Sequence, residues 1–474
     1  MKRYAFHIIL AVNHRYSDIA ICISVAQINC KFKVYTMKIP LEKFCDIPKI
    51  ELHLHIDGAA RWETLHELLK EKNLQLPGDG SFRDFKNACV VTPPGESLEK
   101  FLDRFKYYYS ALVGDVRAIE RIAYELCEDQ AKGNVIYFEG RLSPQLLCTT
   151  DRVSAVEAQC TDDLEVVTPA MVVEHTLKGF KRGEKDFKVK AKLILCCVQG
   201  IPEWSEEVVN LCEKFKDQGV VGIDMVGKDG FNYLCEPGEN FKVRKEDVMA
   251  FEKARKLGIH TTVHCCEEDP PECAVAAVNQ LHIDRIGHGY QIVHKESVYQ
   301  MILEKQIHLE CCPQSSYCTG AVKMNVEHPI VRFAKDGMNF SLNSDDPTVN
   351  ATRITADILL AKKLGLNDND IVKCEATIQA SSWFSWARSK MDVTAKANKN
   401  MINFFATRQK GRKVTTILQR LSQFITLEFG VEPENVESQG SQTYNAAKAA
   451  FLPESEKQEL IQILDAAFIG KFQD

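Results

Sequence analysis

Eight short apolar runs of strand character recur between residues 49 and 344, and segments of helical periodicity lie between several of them. One such segment places apolar residues at i, i+3, i+4 and i+7 within residues 119–126, and another does so within residues 208–215. Alternating strands and helices predict an α/β fold with a parallel sheet, and eight repeats predict a closed (β/α)8 TIM barrel. The alternative is a doubly wound open sheet, but the sequence lacks the glycine-rich phosphate loop that normally accompanies it. The predicted strands are Lys49–Asp57, Val135–Ser143, Ala191–Val198, Val220–Val226, Ile259–His264, Asp284–His288, Ile307–Cys311 and Asn339–Ser344.

Four glycines stand between the end of a helical pattern and the next predicted strand. Helices often end with a residue in the left-handed conformation, which glycine adopts at little cost. We therefore predict left-handed helix ends at Gly133, Gly219, Gly258 and Gly337.

Composition excludes several classes of protein. The chain has 474 residues, of which 45% are hydrophobic and 26% charged, as in an ordinary globular protein. A net charge of −6 and a pI near 6.2 argue against a nucleic-acid or membrane-surface protein. No apolar run approaches the ~20 residues that a membrane-spanning helix needs.

The 18 cysteines bear on the compartment. Many lie inside apolar runs, as Cys196 and Cys197 do, so we expect buried, reduced thiols in a reducing compartment. This favours a cytoplasmic protein over a secreted or lysosomal one. The run from Ala5 to Val12 resembles a signal peptide only weakly, because His7 interrupts it.

Two segments fall outside the repeating pattern. Residues 1–36 form an N-terminal extension, for which disorder is one option, and residues 374–443 form a C-terminal insertion, poorly ordered or helical. Residues 37–373 together with 444–474 make the barrel. Between residues 388 and 420 the insertion holds nine Lys or Arg and one acidic residue, which would suit a nucleic-acid or anionic-lipid patch. We favour a solvated insertion, since the rest of the chain is acidic.

Polar residues with metal-binding chemistry stand at the ends of several predicted strands. His53 and His55 are two apart on the first strand, so their imidazoles project to the same face. His264, His288 and the Asp345–Asp346 pair end later strands. The carboxyl ends of barrel strands form one rim, where the active sites of this fold lie. We therefore predict that these side chains meet.

Three histidines and a carboxylate suit zinc or a similar divalent ion, which lowers the pKa of bound water to about 7. Glu267 follows His264 by three residues and could donate a proton from above the rim. The set predicts metal-assisted hydrolysis. His308-Leu309-Glu310 resembles the H-x-E of the zinc deaminases that act on flipped bases, but the required P-C-x-x-C is absent, so we reject that fold.

Five motifs, in order, resemble the adenosine deaminase family. They are Glu51–Gly58 (ELHLHIDG), Arg141–Pro144 (RLSP), Thr262–His264 (TVH), Arg285–Tyr290 (RIGHGY) and Ser341–Pro347 (SLNSDDP). The resemblance covers roughly residues 45–373, and residues 444–457 are also similar. It implies zinc-dependent deamination of adenosine and 2′-deoxyadenosine to inosine and 2′-deoxyinosine plus ammonia, in purine salvage.

The resemblance also implies roles for individual residues. One zinc ion per chain would be held by His53, His55, His264 and Asp345. His288 would orient or deprotonate the attacking water, and Glu267 would protonate the purine at N1. The partner is a small purine nucleoside and not a nucleic acid, and the oligomeric state stays open, a monomer included. The implied substrate-binding residues are His55, Asp57 for the ribose, Gly227 for N3, Asp346 for N7, and the apolar wall of Phe101, Leu102 and Phe105.

The sequence departs from the family where His-Ala-Gly-Glu is usual, because it reads His264-Cys265-Cys266-Glu267. A cysteine at the glycine position would be costly if φ is positive there, and its thiol could compete for the metal. Two alternatives therefore stay open. One is a deaminase of adenine, AMP or an N6-modified adenine nucleotide, with Arg141 or Lys228 as the phosphate cation. The other is a non-enzymatic nucleoside-binding member of the family.

Overall fold

Eight parallel strands form the centre of the molecule and lie in chain order around a barrel. The computed structural model of the chain describes residues 6–12, 19–25, 48–150, 166–227, 243–367 and 370–371. Each strand of the barrel pairs in parallel with the next one along the chain. These strands are β3 (Lys49–His55), β4 (Val135–Leu142), β5 (Lys190–Val198), β6 (Val220–Val226), β7 (His260–Cys265), β8 (Arg285–His288), β9 (His308–Cys311) and β10 (Phe340–Leu342).

The barrel closes where β3 meets the residues that follow β10. The amide of His55 donates to the carbonyl of Asp345 at 2.8 Å, and the amide of Asp345 donates to the carbonyl of His53 at 3.2 Å. Leu54 and Asp345 form a parallel bridge at this point. The predicted (β/α)8 barrel is thus confirmed, and each predicted strand matches an observed one to within two residues at either end.

Helices connect the strands and cover the outside of the barrel. The strands are apolar because both of their faces are buried, one by the barrel interior and one by the helices. The two helical patterns of the sequence fall on α5 and α7. The helices are α1 (Trp62–Glu71), α2 (Phe82–Cys89), α3 (Leu98–Leu102), α4 (Phe105–Leu112), α5 (Val116–Lys132), α6 (Pro169–Phe187), α7 (Ser205–Phe215), α8 (Lys245–Lys256), α9 (Glu272–Ala276), α10 (Glu296–Lys305), α11 (Pro313–Cys318), α12 (Pro329–Asp336) and α13 (Ile354–Leu364).

Three of the four predicted left-handed helix ends have positive φ: Gly219, Gly258 and Gly337. Gly133 was predicted wrongly. Its φ is −79°, and its amide still donates to the carbonyl of Asp129, so the chain has not yet left the helix. Asn134 turns the chain instead, with φ at 56°, a conformation that asparagine tolerates better than most residues.

The burial of the described cysteines agrees with the sequence prediction. The twelve that the structure describes are buried and free of disulfides. Cys196 and Cys197 are neighbours on β5 and point to opposite faces: Cys196 lines a cavity inside the barrel rim, and Cys197 contacts Ser205 on α7.

The N-terminal extension contributes a separate two-stranded antiparallel sheet, β1 (Phe6–Val12) with β2 (Ile19–Val25). The predicted insertion at 374–443 and the predicted return to the barrel at 444–474 lie outside the described residues. Among the helices of the described ranges, none is both long and apolar enough to cross a bilayer.

Candidate active site

Three imidazoles and a carboxylate meet at the carboxyl ends of the barrel strands. His53 and His55 extend from β3, His264 from β7, and Asp345 follows β10. Nε2 of His53 lies 3.1 Å from Oδ1 of Asp345, and Nε2 of His55 lies 3.1 Å from Nε2 of His264. One ligand atom from each of the four lies within 4.8 Å of the others. The residues that the sequence assigns to a metal are therefore brought together.

Two buried carboxylates orient these imidazoles from below. Nδ1 of His53 lies 2.6 Å from Oε2 of Glu310, and Nδ1 of His264 lies 3.0 Å from Oδ2 of Asp224. A proton on each Nδ1 leaves the Nε2 lone pair directed at the centre of the cluster. Nε2 of His53 and Oδ1 of Asp345 are buried and make no hydrogen bond in the described part of the chain. Two acceptors facing each other in this way fit a cation between them.

Arg141 joins the two supporting carboxylates. Its guanidinium donates to Asp224 at 2.6 Å, to Glu310 at 2.7 Å and to the carbonyl of Leu52 at 2.6 Å. Burial would raise the pKa of Glu310, but Arg141 and Arg285 outweigh it and hold that pKa well below its usual range. Arg141 is wholly buried by these contacts, so its predicted alternative role as a phosphate cation is wrong. The other candidate, Lys228, lies outside the described residues.

An acid and a base with opposite pKa shifts stand beside the cluster. Burial raises the pKa of Glu267 well above its usual value, and the charge of Asp345 adds to the effect. Burial lowers the pKa of His288 well below its usual value. The two side chains lie 3.6 Å apart, from Oε2 of Glu267 to Nε2 of His288. The raised pKa suits Glu267 to the role of a proton donor, and the lowered pKa suits His288 to the role of a proton acceptor.

Asp346 is a further buried carboxyl, and it is packed against Gly58. Burial raises its pKa well above the usual value, with Asp345 and Asp57 adding to the effect. A Cβ at Gly58 would lie 1.8 Å from Oδ1 of Asp346, so only glycine leaves room for this carboxyl. Oδ1 is buried without a hydrogen-bond partner in the described ranges. A protonated carboxyl here can donate a hydrogen bond to a ligand.

A cavity of about 370 Å³ opens beside these groups. All of the predicted substrate-binding residues line it, as do Glu267 and His288, the predicted catalytic pair. Leu102 is 37% exposed, whereas Phe101 and Phe105 are buried. The cavity also has lining residues that sequence reasoning missed: Leu98, Tyr109, Leu142, Ser143, Leu146, Cys196, Val198, Val226 and Thr319.

Comparison with known proteins agrees with this geometry. The family model described as adenosine deaminase matches residues 48–395. The adenosine deaminase of Xenopus tropicalis is 38% identical over 345 residues, which are 72% of this chain and 93% of the relative. The chain belongs to the adenosine deaminase family. The predicted family and the predicted enzyme class, a hydrolytic deaminase, are thereby confirmed.

Two further comparisons extend this result. The adenosine deaminase of Danio rerio is 40% identical over 319 residues, covering 67% of this chain and 85% of the relative. The crystal structure of the Arabidopsis N6-mAMP deaminase superposes with a TM-score of 0.62 at 22% identity, over 90% of this chain and 99% of that one. At that identity the superposition establishes the shared fold.

The Cys265–Cys266 departure from the family pattern leaves the cavity intact. Cys266 has φ at 54°, which is the positive value described above as costly for a cysteine. Its thiol lies 3.4 Å from the carbonyl of Pro270 and 3.5 Å from the Cys265 thiol, and neither thiol lines the cavity. The sequence predicts that one of these two thiols could compete for the metal, but neither belongs to a group that could hold a metal in the described residues. The thiol beside His53, His288 and Asp345 is that of Cys312, and burial raises its pKa well above the usual value.

The rejected H-x-E motif has a different use in this structure. His308 contacts Asn339 and Ser341, at 2.9 Å in each case, and takes no part in the metal cluster. Glu310 supports His53 from below. The motif residues are thus structural.

Proposed function

We propose that this chain catalyses the hydrolytic deamination of adenosine and 2′-deoxyadenosine, using one Zn²⁺ per chain. Water replaces the amino group at C6, so the products are inosine or 2′-deoxyinosine and one ammonia. The observation that carries the proposal is a group of four possible metal ligands at the edge of one cavity, with Glu267 and His288 beside it. Burial raises the pKa of Glu267 and lowers the pKa of His288. The reaction belongs to purine salvage.

The donor set supports zinc. His53, His55, His264 and Asp345 offer three imidazole nitrogens and one carboxylate oxygen, ligands that zinc accepts readily. The bound ion would supply a water whose pKa is near neutrality. We propose one ion because every one of these donors belongs to one cluster.

The chain's own residues would move the protons. His288, which burial keeps neutral, would orient the attacking water and accept its proton. Glu267, whose pKa burial raises, would donate a proton to N1 of the purine, so that the ring can receive the electron pair displaced from C6. Asp346 would donate to N7, and the backbone amide of Gly227 would donate to N3. Asp57 would bind the ribose.

The lack of a cationic side chain among the described lining residues favours a nucleoside over a nucleotide. The lining residues include Asp57, Glu267, Asp345 and Asp346, and no Lys or Arg occurs among the lining residues that the structure describes. A 5′-phosphate would need cationic partners to offset its charge. Arg141 cannot serve, because Asp224 and Glu310 occupy it below the rim. The substrate partner that we propose is therefore the small, uncharged nucleoside, not AMP or a nucleic acid. A reducing location, the cytoplasm, is our proposal from the cysteine content.

The test is a comparison of substrates on protein loaded with zinc. Conversion of adenosine to inosine is followed by the change in ultraviolet absorbance, and metal content is measured on the same sample. We expect one zinc per chain and a kcat/KM for adenosine at least 100-fold above that for AMP, adenine or N6-methyl-AMP. Zinc-loaded protein without adenosine turnover would contradict the proposal. Faster turnover of a nucleotide would replace it with the alternative.

A further inference from the structure

Tyr109 lies in the cavity beside the carboxylate that follows the metal-binding strand. It is on α4, one turn after Phe105, and the centroids of their rings are 5.7 Å apart with a tilt of 36°. Its side chain hydrogen-bonds to Asp57, and both residues line the cavity. The ring packing and the hydrogen bond together fix the phenol in one position.

Asp57 retains acceptor capacity for a ligand. It is 5% exposed, and Oδ1 accepts a hydrogen bond from the amide of Gly58 at 3.0 Å. A carboxylate has about four lone-pair sites, so the Gly58 amide and the Tyr109 hydroxyl leave others unused. These sites can accept hydrogen bonds from hydroxyl groups of a ligand.

Ser143 adds an unpartnered hydroxyl to the same cavity. It follows β4, is 4% exposed, and its Oγ makes no hydrogen bond within the described residues. A buried polar group of this kind normally has a partner, and in a cavity that partner is a ligand or water. A serine hydroxyl both donates and accepts, and therefore suits a second hydroxyl.

We propose that Tyr109, together with Asp57 and Ser143, forms the subsite that recognises the sugar hydroxyls, and that Tyr109 is a specificity-determining residue there. This inference rests on the proposed function, which assigns the ribose to Asp57 alone. The three side chains offer a carboxylate and two hydroxyls and no cation. They therefore recognise neutral hydroxyl groups and discriminate against a sugar that lacks the hydroxyl group that they contact.

The experiment compares wild type with Tyr109→Phe, which removes only the hydroxyl. Tyr107→Phe is the matched control, because Tyr107 is on the same helix and does not line the cavity. The substrates are adenosine and its 2′-, 3′- and 5′-deoxy analogues. We expect Tyr109→Phe to lower kcat/KM for adenosine about tenfold, chiefly through KM. The loss should shrink to less than threefold for at least one deoxy analogue, and Tyr107→Phe should stay within twofold of wild type throughout.

Binding measurements separate this inference from the proposed function. The dissociation constants of inosine and of hypoxanthine are measured by calorimetry on the same three proteins, which requires no turnover. We expect Tyr109→Phe to weaken inosine about tenfold and to leave hypoxanthine unchanged. Equal losses for every analogue, or equal affinity of wild type and Tyr109→Phe for inosine, would overturn the assignment of Tyr109. Wild type that binds inosine without turning over adenosine would reject the proposed function, and the comparison for Tyr109 would still hold.

Discussion

The floor and the wall of the cavity are built on different principles. The floor is the set of residues at or just after the strand ends, all of which except His53 line the cavity: His53, His55, His264, Glu267, His288, Asp345 and Asp346. The wall is the set of lining residues on α3 and α4: Leu98, Phe101, Leu102, Phe105 and Tyr109. Charged and polar groups below the floor fix the direction of its metal-binding side chains. The wall is held by contacts between aromatic rings, such as those of Phe101 and Phe105, whose ring centroids lie 6.2 Å apart.

This difference indicates which part of the site tolerates change. A metal cluster requires atoms placed within a few tenths of an ångström, and buried carboxylates shared by Arg141 provide that placement. An apolar wall needs only volume and shape, so substitutions there alter affinity more than chemistry. Reaction chemistry therefore resides in the strands, and substrate selection resides largely in the helices between β3 and β4.

The largest effect should come from the proton donor in the floor. Glu267→Gln keeps the shape of the side chain and removes the acidic proton, so we expect kcat to fall about 10³-fold with zinc content unchanged. Glu268→Gln, at the exposed neighbouring position, is the control and should stay within threefold. Loss of zinc from Glu267→Gln would show that Glu267 belongs to the metal site.

The second largest effect should come from the support below the floor, which is the buried group of Glu310, Asp224 and Arg141. Glu310→Gln leaves Nδ1 of His53 without its anionic partner and removes one of the two carboxylates that pair with each of the buried Arg141 and Arg285. We expect zinc to bind 10- to 100-fold more weakly, as is typical when a contact that supports a metal ligand is lost. Competition with a chelator measures the dissociation constant. Glu296→Gln, at an exposed position at the start of α10, should not change it. Unaltered zinc affinity in Glu310→Gln would contradict the proposal that buried carboxylates position the metal-binding side chains of the floor.

A wall substitution should affect substrate binding and leave the metal in place. Phe105 is 6% exposed and contacts the rings of Phe101 and Tyr109, so Phe105→Ala should raise KM for adenosine about tenfold, with kcat within threefold. Leu102→Ala, at a position that is 37% exposed, should raise KM less than threefold. Steady-state kinetics and zinc content on both variants make the comparison. A fall in kcat larger than the rise in KM would mean that the wall also positions the reacting atoms.

The smallest effect lies in the turn between His264 and Glu267. Cys266 has φ at 54°, a conformation that costs about 1 kcal/mol for a residue with a Cβ. Cys266→Gly relieves that cost and Cys266→Ala does not. We therefore expect the glycine variant to exceed the alanine variant by about 1 kcal/mol in the free energy of unfolding in denaturant. Equal stabilities would indicate that the turn does not hold strain.

The sequence predicted the floor better than the wall or the support. Polar residues that follow apolar runs indicate the ends of strands, and the carboxyl ends of barrel strands form one rim. The proximity of His53, His264 and Asp345 could therefore be predicted from the sequence alone. Tyr109 could not, because spacing along a helix does not distinguish a cavity from ordinary core packing. The support was missed because Arg141 and Glu310 lie on strands far apart in sequence. Their charges within apolar strands were a signal, but only the barrel's register decides that they meet.

The position of the barrel's closing contact has a consequence for folding and for loss of metal. The amides of His55 and Asp345 make backbone hydrogen bonds that join the first barrel strand to the segment after the last, and both residues belong to the predicted metal cluster. An ion bound by both residues would act as a cross-link between the first strand and the end of the sheet. Binding of the metal would therefore stabilise the closure of the barrel and complete the active site at the same time. Chelation should then accelerate hydrogen exchange first at these two amides, while the amides in the middle of β5 stay protected.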